Sequence, residues 1–251
     1  MKIGVFGDSF ADRSPYNPDS PFKEDESWMN CIESAGHKVT TYGKTGTSTF
    51  WSFRQFLAHH EQFDHIIFCY SSLHRIHHLP EGLEDLSFLT SPDELYAYRR
   101  NKGLSQQQEL EMVRILTGYV PNLDPAFDIF IKQHVFNDIN NTCREKGIKL
   151  VNLLTFDDRK DKNYNIHLDL RAGDCLYNLF TVSKNELPTM GIVDNRWCHL
   201  SKEFNSILAV ELFNSFNSTE RNIIDISKNK HFIYNKEITA RYTMDMDKKD
   251  D

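Results

Sequence analysis

A serine, a histidine and a scatter of acids and amides are the residues of this chain whose types and positions can do chemistry. Ser9 closes the run Met1-Lys2-Ile3-Gly4-Val5-Phe6-Gly7-Asp8-Ser9, in which a short apolar, β-prone segment stops at a glycine, an acid and a hydroxyl. A serine at the C-terminal end of the first strand of an α/β sheet stands where such folds place their ligand sites. Brought to an imidazole, its hydroxyl becomes a nucleophile. The best-placed imidazole is His199, in Asp194-Asn195-Arg196-Trp197-Cys198-His199-Leu200-Ser201, a loop that precedes a helical pattern. Taken alone, a histidine at a helix start is more often a surface or capping residue; paired with a strand-terminal serine it reads as a general base. Cys198 is expected to point into the core rather than to act as a nucleophile.

The elements that would position these residues alternate. Residues 2–7 read as a buried strand, and 27–36 as a helix with Ser27 as N-cap and Gly36 as its stop. Residues 38–42 form a second strand, 43–49 a turn, 50–57 a helix and 66–70 a third strand. This β-α-β-α-β order over the first 72 residues predicts a parallel sheet with helices on both faces and right-handed crossovers. Residues 80–125, punctuated by Pro80, Pro92 and Pro121, read as an insertion that is helical over 104–117. A long helix is expected over 125–147, with Phe127, Phe130, Ile131, Val135 and Ile139 at helical spacing. A fourth strand is expected over 148–154, irregular chain over 157–195 and a last helix over 200–216. The predicted fold is a three-layer α/β/α sandwich with a mainly parallel, flavodoxin-like sheet of about five strands. Residues 1–216 form one domain and 217–251 a C-terminal extension with a charged, frayed end.

Composition narrows the classes. The chain has 251 residues, enough for a self-sufficient core. Its net charge of −7 argues against a nucleic-acid-binding face spread over the domain. The five cysteines, Cys31, Cys69, Cys143, Cys175 and Cys198, are widely spaced and form no CxxC pair, which points to a reducing compartment. No apolar run approaches the ~18 residues of a membrane span. No signal-peptide pattern precedes the first strand. A cytoplasmic location is therefore expected.

The run Ile3–Ser9 resembles the first block of the SGNH (GDSL-like) hydrolases. Gly46, in Lys44-Thr45-Gly46-Thr47, is similar to the glycine of their second block, and His199-Leu200-Ser201 to their last. The resemblance implies Ser9 as nucleophile and His199 as general base. It implies an oxyanion hole of the Ser9 N–H, the Gly46 N–H and a side-chain amide, such donors being worth about 3–4 kcal/mol each. Two positions depart from the family. Its third block carries Asn where this chain, in Tyr70-Ser71-Ser72-Leu73, has Ser72, which can donate one shorter-reaching hydrogen bond. Arg75 or His74 nearby is an alternative donor, and Asn30, in a helix, is a poor one. The acid three residues before the histidine is replaced by Arg196. Asp194 then orients His199 if the loop bulges, with Asn195 or a backbone carbonyl as alternatives. Asp8 and Arg75 are expected to pair beside the site. The implied substrate is a small-molecule or glycan O-acyl ester, with no cofactor, no metal, no nucleic acid and no membrane as partner. The alternative is a catalytically weak or inactive binding or structural module of the same fold.

Other signals weigh less. His74 and His78 have the i, i+4 spacing of metal ligands, but no acid accompanies them, and a surface or substrate-facing loop is the preferred reading. Gly43-Lys44-Thr45 echoes a phosphate loop, yet Lys38 stands where its first glycine belongs. Gly4 and Gly7 make no G-x-G-x-x-G turn, which disfavours a nucleotide binder. Trp51, Phe53 and Phe56 read as core and loop packing.

Overall fold

The computed structural model describes residues 1–13, 27–71, 75–77, 79–87, 95, 104–119, 125–155 and 202–217. Four strands among them form one parallel sheet: β1 (Lys2–Gly7), β2 (Lys38–Gly43), β3 (His65–Tyr70) and β4 (Lys149–Leu154), in the order β2-β1-β3-β4. Five helices accompany them: α1 (Trp28–Ser34), α2 (Thr49–His59), α3 (Gln106–Arg114, continued by a π-helical turn), α4 (Pro125–Glu145) and α5 (Lys202–Asn217). The expected alternation and the flavodoxin-like order are both present.

The layers follow from side-chain alternation along the strands. Ile3, Val5, Ile67 and Cys69 face one way, into a core with Trp28, Met29 and Ile32 of α1 and Leu208 and Leu212 of α5. Phe6, Ile66, Phe68 and Tyr70 face the other way, onto Phe53 and Phe56 of α2 and Val135, Phe136 and Ile139 of α4. Each large side chain so buried contributes about 1.5–3 kcal/mol. Ile76, Leu79, Leu83, Leu86, Leu95, Met112 and Leu116 form a smaller cluster of their own.

Local chemistry sets the helix starts. Ser27 caps α1 by accepting from the Asn30 N–H at 3.2 Å, and Ser48 caps α2 by accepting from Trp51 at 3.2 Å. The stripe of α4 that faces the sheet differs from the expected one. Phe127 and Phe130 are about half exposed, whereas Lys132 is buried with Val135, Phe136, Ile139 and Cys143. Helix α5 runs antiparallel to the strands. Near its start Asn205 accepts from the Trp28 N–H at 3.0 Å, and at its end the Phe216 carbonyl accepts from Lys149 Nζ, at the beginning of β4, at 2.6 Å. Among the described residues no helix is long and apolar enough to cross a membrane, and Cys31, Cys69 and Cys143 are free.

Candidate functional site

Sheet order places the candidate site. From β1 the chain turns outward to β2 on one side, and β3 lies on the other, so the crevice at the C-terminal ends of β1 and β3 is the topological switch point. Ser9 stands there, two residues beyond β1. The Ala11 N–H donates to the Asp8 carbonyl at 3.0 Å, closing a four-residue turn with Ser9 at its second position. The Asp8 carboxylate closes the same turn a second time, accepting from the Phe10 N–H at 3.1 Å. The main chain of the turn thus fixes the position of Ser9, which is 7% exposed.

The residues after the turn are held one by one. Trp28 Nε1 donates to the Phe10 carbonyl at 3.2 Å, and the Thr41 hydroxyl donates to the Ala11 carbonyl. Gly43 sits against the Ala11 backbone so closely that a Cβ would lie 2.2 Å from its carbonyl carbon. Asp12 accepts from the Thr45 N–H at 2.8 Å and from its hydroxyl at 2.7 Å. These bonds join the loop that follows β1 to the loop that follows β2, where Gly46 lies. The Thr47 N–H donates to the Lys44 carbonyl at 3.3 Å, so Gly46 takes the third position of that turn with φ of +83°, a backbone that glycine adopts freely. Its carbonyl accepts from the Ser87 hydroxyl.

The end of β3 completes the crevice. Ser71 is fully buried, and its carbonyl accepts from Thr49 Oγ1 at 3.3 Å and from Lys132 Nζ at 2.9 Å. Asp8 is also fully buried, and the expected partner is in place: Arg75 Nη2 lies 3.9 Å from Asp8 Oδ2. Burial pushes the Asp8 carboxyl above its ordinary value. The Arg75 guanidinium, the Phe10 N–H and the Ser71 hydroxyl pull it down without cancelling that effect. Beneath it, burial and the Asp8 charge raise the Cys69 thiol well above the usual range, so Cys69 is no nucleophile.

No protein-family model matches the chain, and no curated protein matches it in sequence. Solved structures do resemble it. A member of the lipolytic G-D-S-L family from Veillonella parvula DSM 2008 is 16% identical, with 85% of this chain and 98% of that one covered at a TM-score of 0.33. The acetyl xylan esterase AlAXEase is 15% identical, with 86% and 99% covered at 0.33. The psychrotrophic esterase EstA from Pseudoalteromonas sp. is 13% identical, with 85% and 95% covered at 0.32. Overlaps this loose carry no argument about chemistry, which rests on the residues of this chain.

Of the sequence-predicted site residues, the fold brings Asp8, Ser9, Gly46 and Arg75 to one end of the sheet. Ser72, Asp194 and His199 lie outside the described residues, as do His74 and His78. Among the described residues no three metal-ligating side chains converge. His59 stacks on Tyr42 at 4.2 Å, and His60 on Phe56 at 4.8 Å. Phe53 and Phe56 are core, while Trp51 lines a depression with Ser48, Arg54 and His77.

Sequence reasoning missed Lys132, Ser71 and the pair formed by His77 Nε2 and Asp128 Oδ1 at 2.9 Å. The signal for Lys132 was present: it stands three, four and seven residues before Val135, Phe136 and Ile139, a cation inside the apolar stripe.

Proposed function

We propose that this chain is a serine hydrolase that cleaves an O-acyl ester of a small molecule or glycan. Ser9 attacks the acyl carbon while His199 takes its proton. The tetrahedral oxyanion is met by the N–H groups of Ser9 and Gly46 and by the Ser72 hydroxyl. His199 then returns the proton to the leaving alcohol, and a water activated by the same imidazole releases the acyl group. Asp194 orients the ring. The observation that carries this reading is the doubly closed turn that holds Ser9 at the crevice between β1 and β3.

Chain connectivity supports His199 as the base. Asn205, one turn into α5, is bonded to the Trp28 N–H, and the Trp28 indole is bonded to Phe10 beside Ser9. His199 precedes the first residue of α5 by three, and three residues of chain span at most about 11 Å. A second reading, an inactive binding module of the same fold, is favoured by the near-complete burial of Ser9.

Turnover of a short-chain p-nitrophenyl ester separates the two. The hydrolase reading expects turnover by the wild-type chain that disappears in Ser9→Ala. Absence of turnover in both, or equal turnover in both, contradicts it.

A further inference from the structure

Residues 75–77 are gripped from three sides. The Ile76 N–H donates to the Ser87 carbonyl at 2.8 Å, and the Ile76 side chain is buried among Leu79, Leu86 and Met112. The Ser48 hydroxyl, at the start of α2, donates to the His77 carbonyl at 3.1 Å. From α4, Asp128 Oδ1 meets His77 Nε2 at 2.9 Å, with the two side chains 14% and 8% exposed. Arg75, at the other end of this tripeptide, reaches Asp8.

We propose that Asp128 and His77 are positioning residues: their contact fixes the 75–77 segment so that the Arg75 guanidinium stays against the Asp8 carboxylate that closes the Ser9 turn.

The physical case is one of reach and cost. An arginine side chain has many rotamers, so where its guanidinium can reach depends in part on how firmly its backbone is anchored. The Asp8–Arg75 contact is at the outer limit of an ion pair, and a small displacement of the segment breaks it. The His77–Asp128 contact is a costly way merely to fill space. His77 Nδ1, His77 Nε2 and Asp128 Oδ1 are all buried outside hydrogen-bond geometry, so the pair is a close electrostatic contact whose buried polar atoms are costly to leave unmet. Among the described residues, the groups that act on Asp8 are Arg75, the Phe10 N–H, the Ser71 hydroxyl and Cys69, whose thiol stays protonated. Arg75 is the cation among them, so its displacement is read directly in the titration of Asp8. The consequence for Ser9 rests on the hydrolase reading; the clamp on Asp8 does not.

The test is a carbon-13 NMR titration of the Asp8 carboxyl in the full chain, assigned with Asp8→Asn and paired with fluorophosphonate labelling of Ser9. Removal of the guanidinium in Arg75→Gln raises the Asp8 midpoint by about one pH unit. Asp128→Asn raises it by at least half as much, and Asp128→Glu restores it. An Asp8 midpoint unmoved in Asp128→Asn but raised in Arg75→Gln overturns the clamp, as does a midpoint unmoved in both. If Asp128→Asn does not fold, His77→Gln is read in the same way. Ser9 labelling is expected to slow at least threefold in Asp128→Asn. A wild-type chain that takes up no label refutes the hydrolase reading, while the titration still decides the clamp.

Discussion

At the N-terminal end of the sheet Asp64 is 58% exposed, accepts from the Lys2 N–H at 2.8 Å and lies 2.7 Å from His65 Nδ1. At the C-terminal end Asp8 is fully buried. Each also has a lysine that donates to a main-chain carbonyl nearby: exposed Lys149 to Phe216, and buried Lys132 to Ser71. Desolvation acts on both acids. At Asp64 it is outweighed by the bonds from His65 and Lys2, and the carboxyl falls below its ordinary value; at Asp8 it prevails. The same residue types thus close one end of the sheet with solvated bonds and build a buried polar crevice at the other. A fold needs only the first. The second costs desolvation and sets a reactive-residue candidate on a rigid turn.

The largest difference between the ends is expected in catalysis. Ser9→Ala lowers ester turnover by about a thousandfold or more, whereas His65→Ala, at the far end, leaves it within about twofold. Steady-state rates on one substrate series check both. A comparable loss in the two variants removes the distinction.

Stability comes next. Lys132→Ala leaves a cavity and strips a bond from the buried Ser71 carbonyl, and is expected to cost about 2–4 kcal/mol. Lys149→Ala removes an exposed side chain with a similar bond and is expected to cost less than about 1 kcal/mol. Urea denaturation of the two variants gives the comparison, and equal costs contradict the burial argument.

The smallest effect is a sign. Asp8 titrates higher in the folded chain than in the unfolded one, so the folded state binds the extra proton. The stability this contributes is present below the unfolded value near 3.9 and is lost as pH rises through the folded value. Asp64 titrates lower when folded, so its contribution is present above the unfolded value and is lost as pH falls through the folded one. Measured against Asp8→Asn, the wild type therefore loses relative stability from about pH 4 upward. Measured against Asp64→Asn, it loses relative stability as acid is added below that point. Slopes of the same sign contradict the contrast.

What could be read from the sequence was local. Strand limits followed from short apolar runs, and the start of α1 from Ser27. Gly36, with φ of +88°, ends the first helical stretch where expected. The switch-point position of Ser9 followed from the alternation of elements. The long-range contacts were not readable. Lys132 meets Ser71 across 61 residues of chain, and a lysine in isolation looks like a solvated residue. His77 and Asp128 gave no sign of each other, because only the packing of α4 against the loop after β3 brings them together. Phe127 and Phe130 misled in the opposite direction: their spacing is helical, but they lie outside the buried stripe.

The central claim is that the turn closed by Asp8 presents Ser9 as a nucleophile, and intact-mass analysis after fluorophosphonate treatment tests it most directly. The account predicts a single adduct on the wild-type chain that maps to Ser9, is absent in Ser9→Ala and forms at least a hundredfold more slowly in His199→Ala. An unmodified wild-type chain, or an adduct that persists in Ser9→Ala, contradicts it.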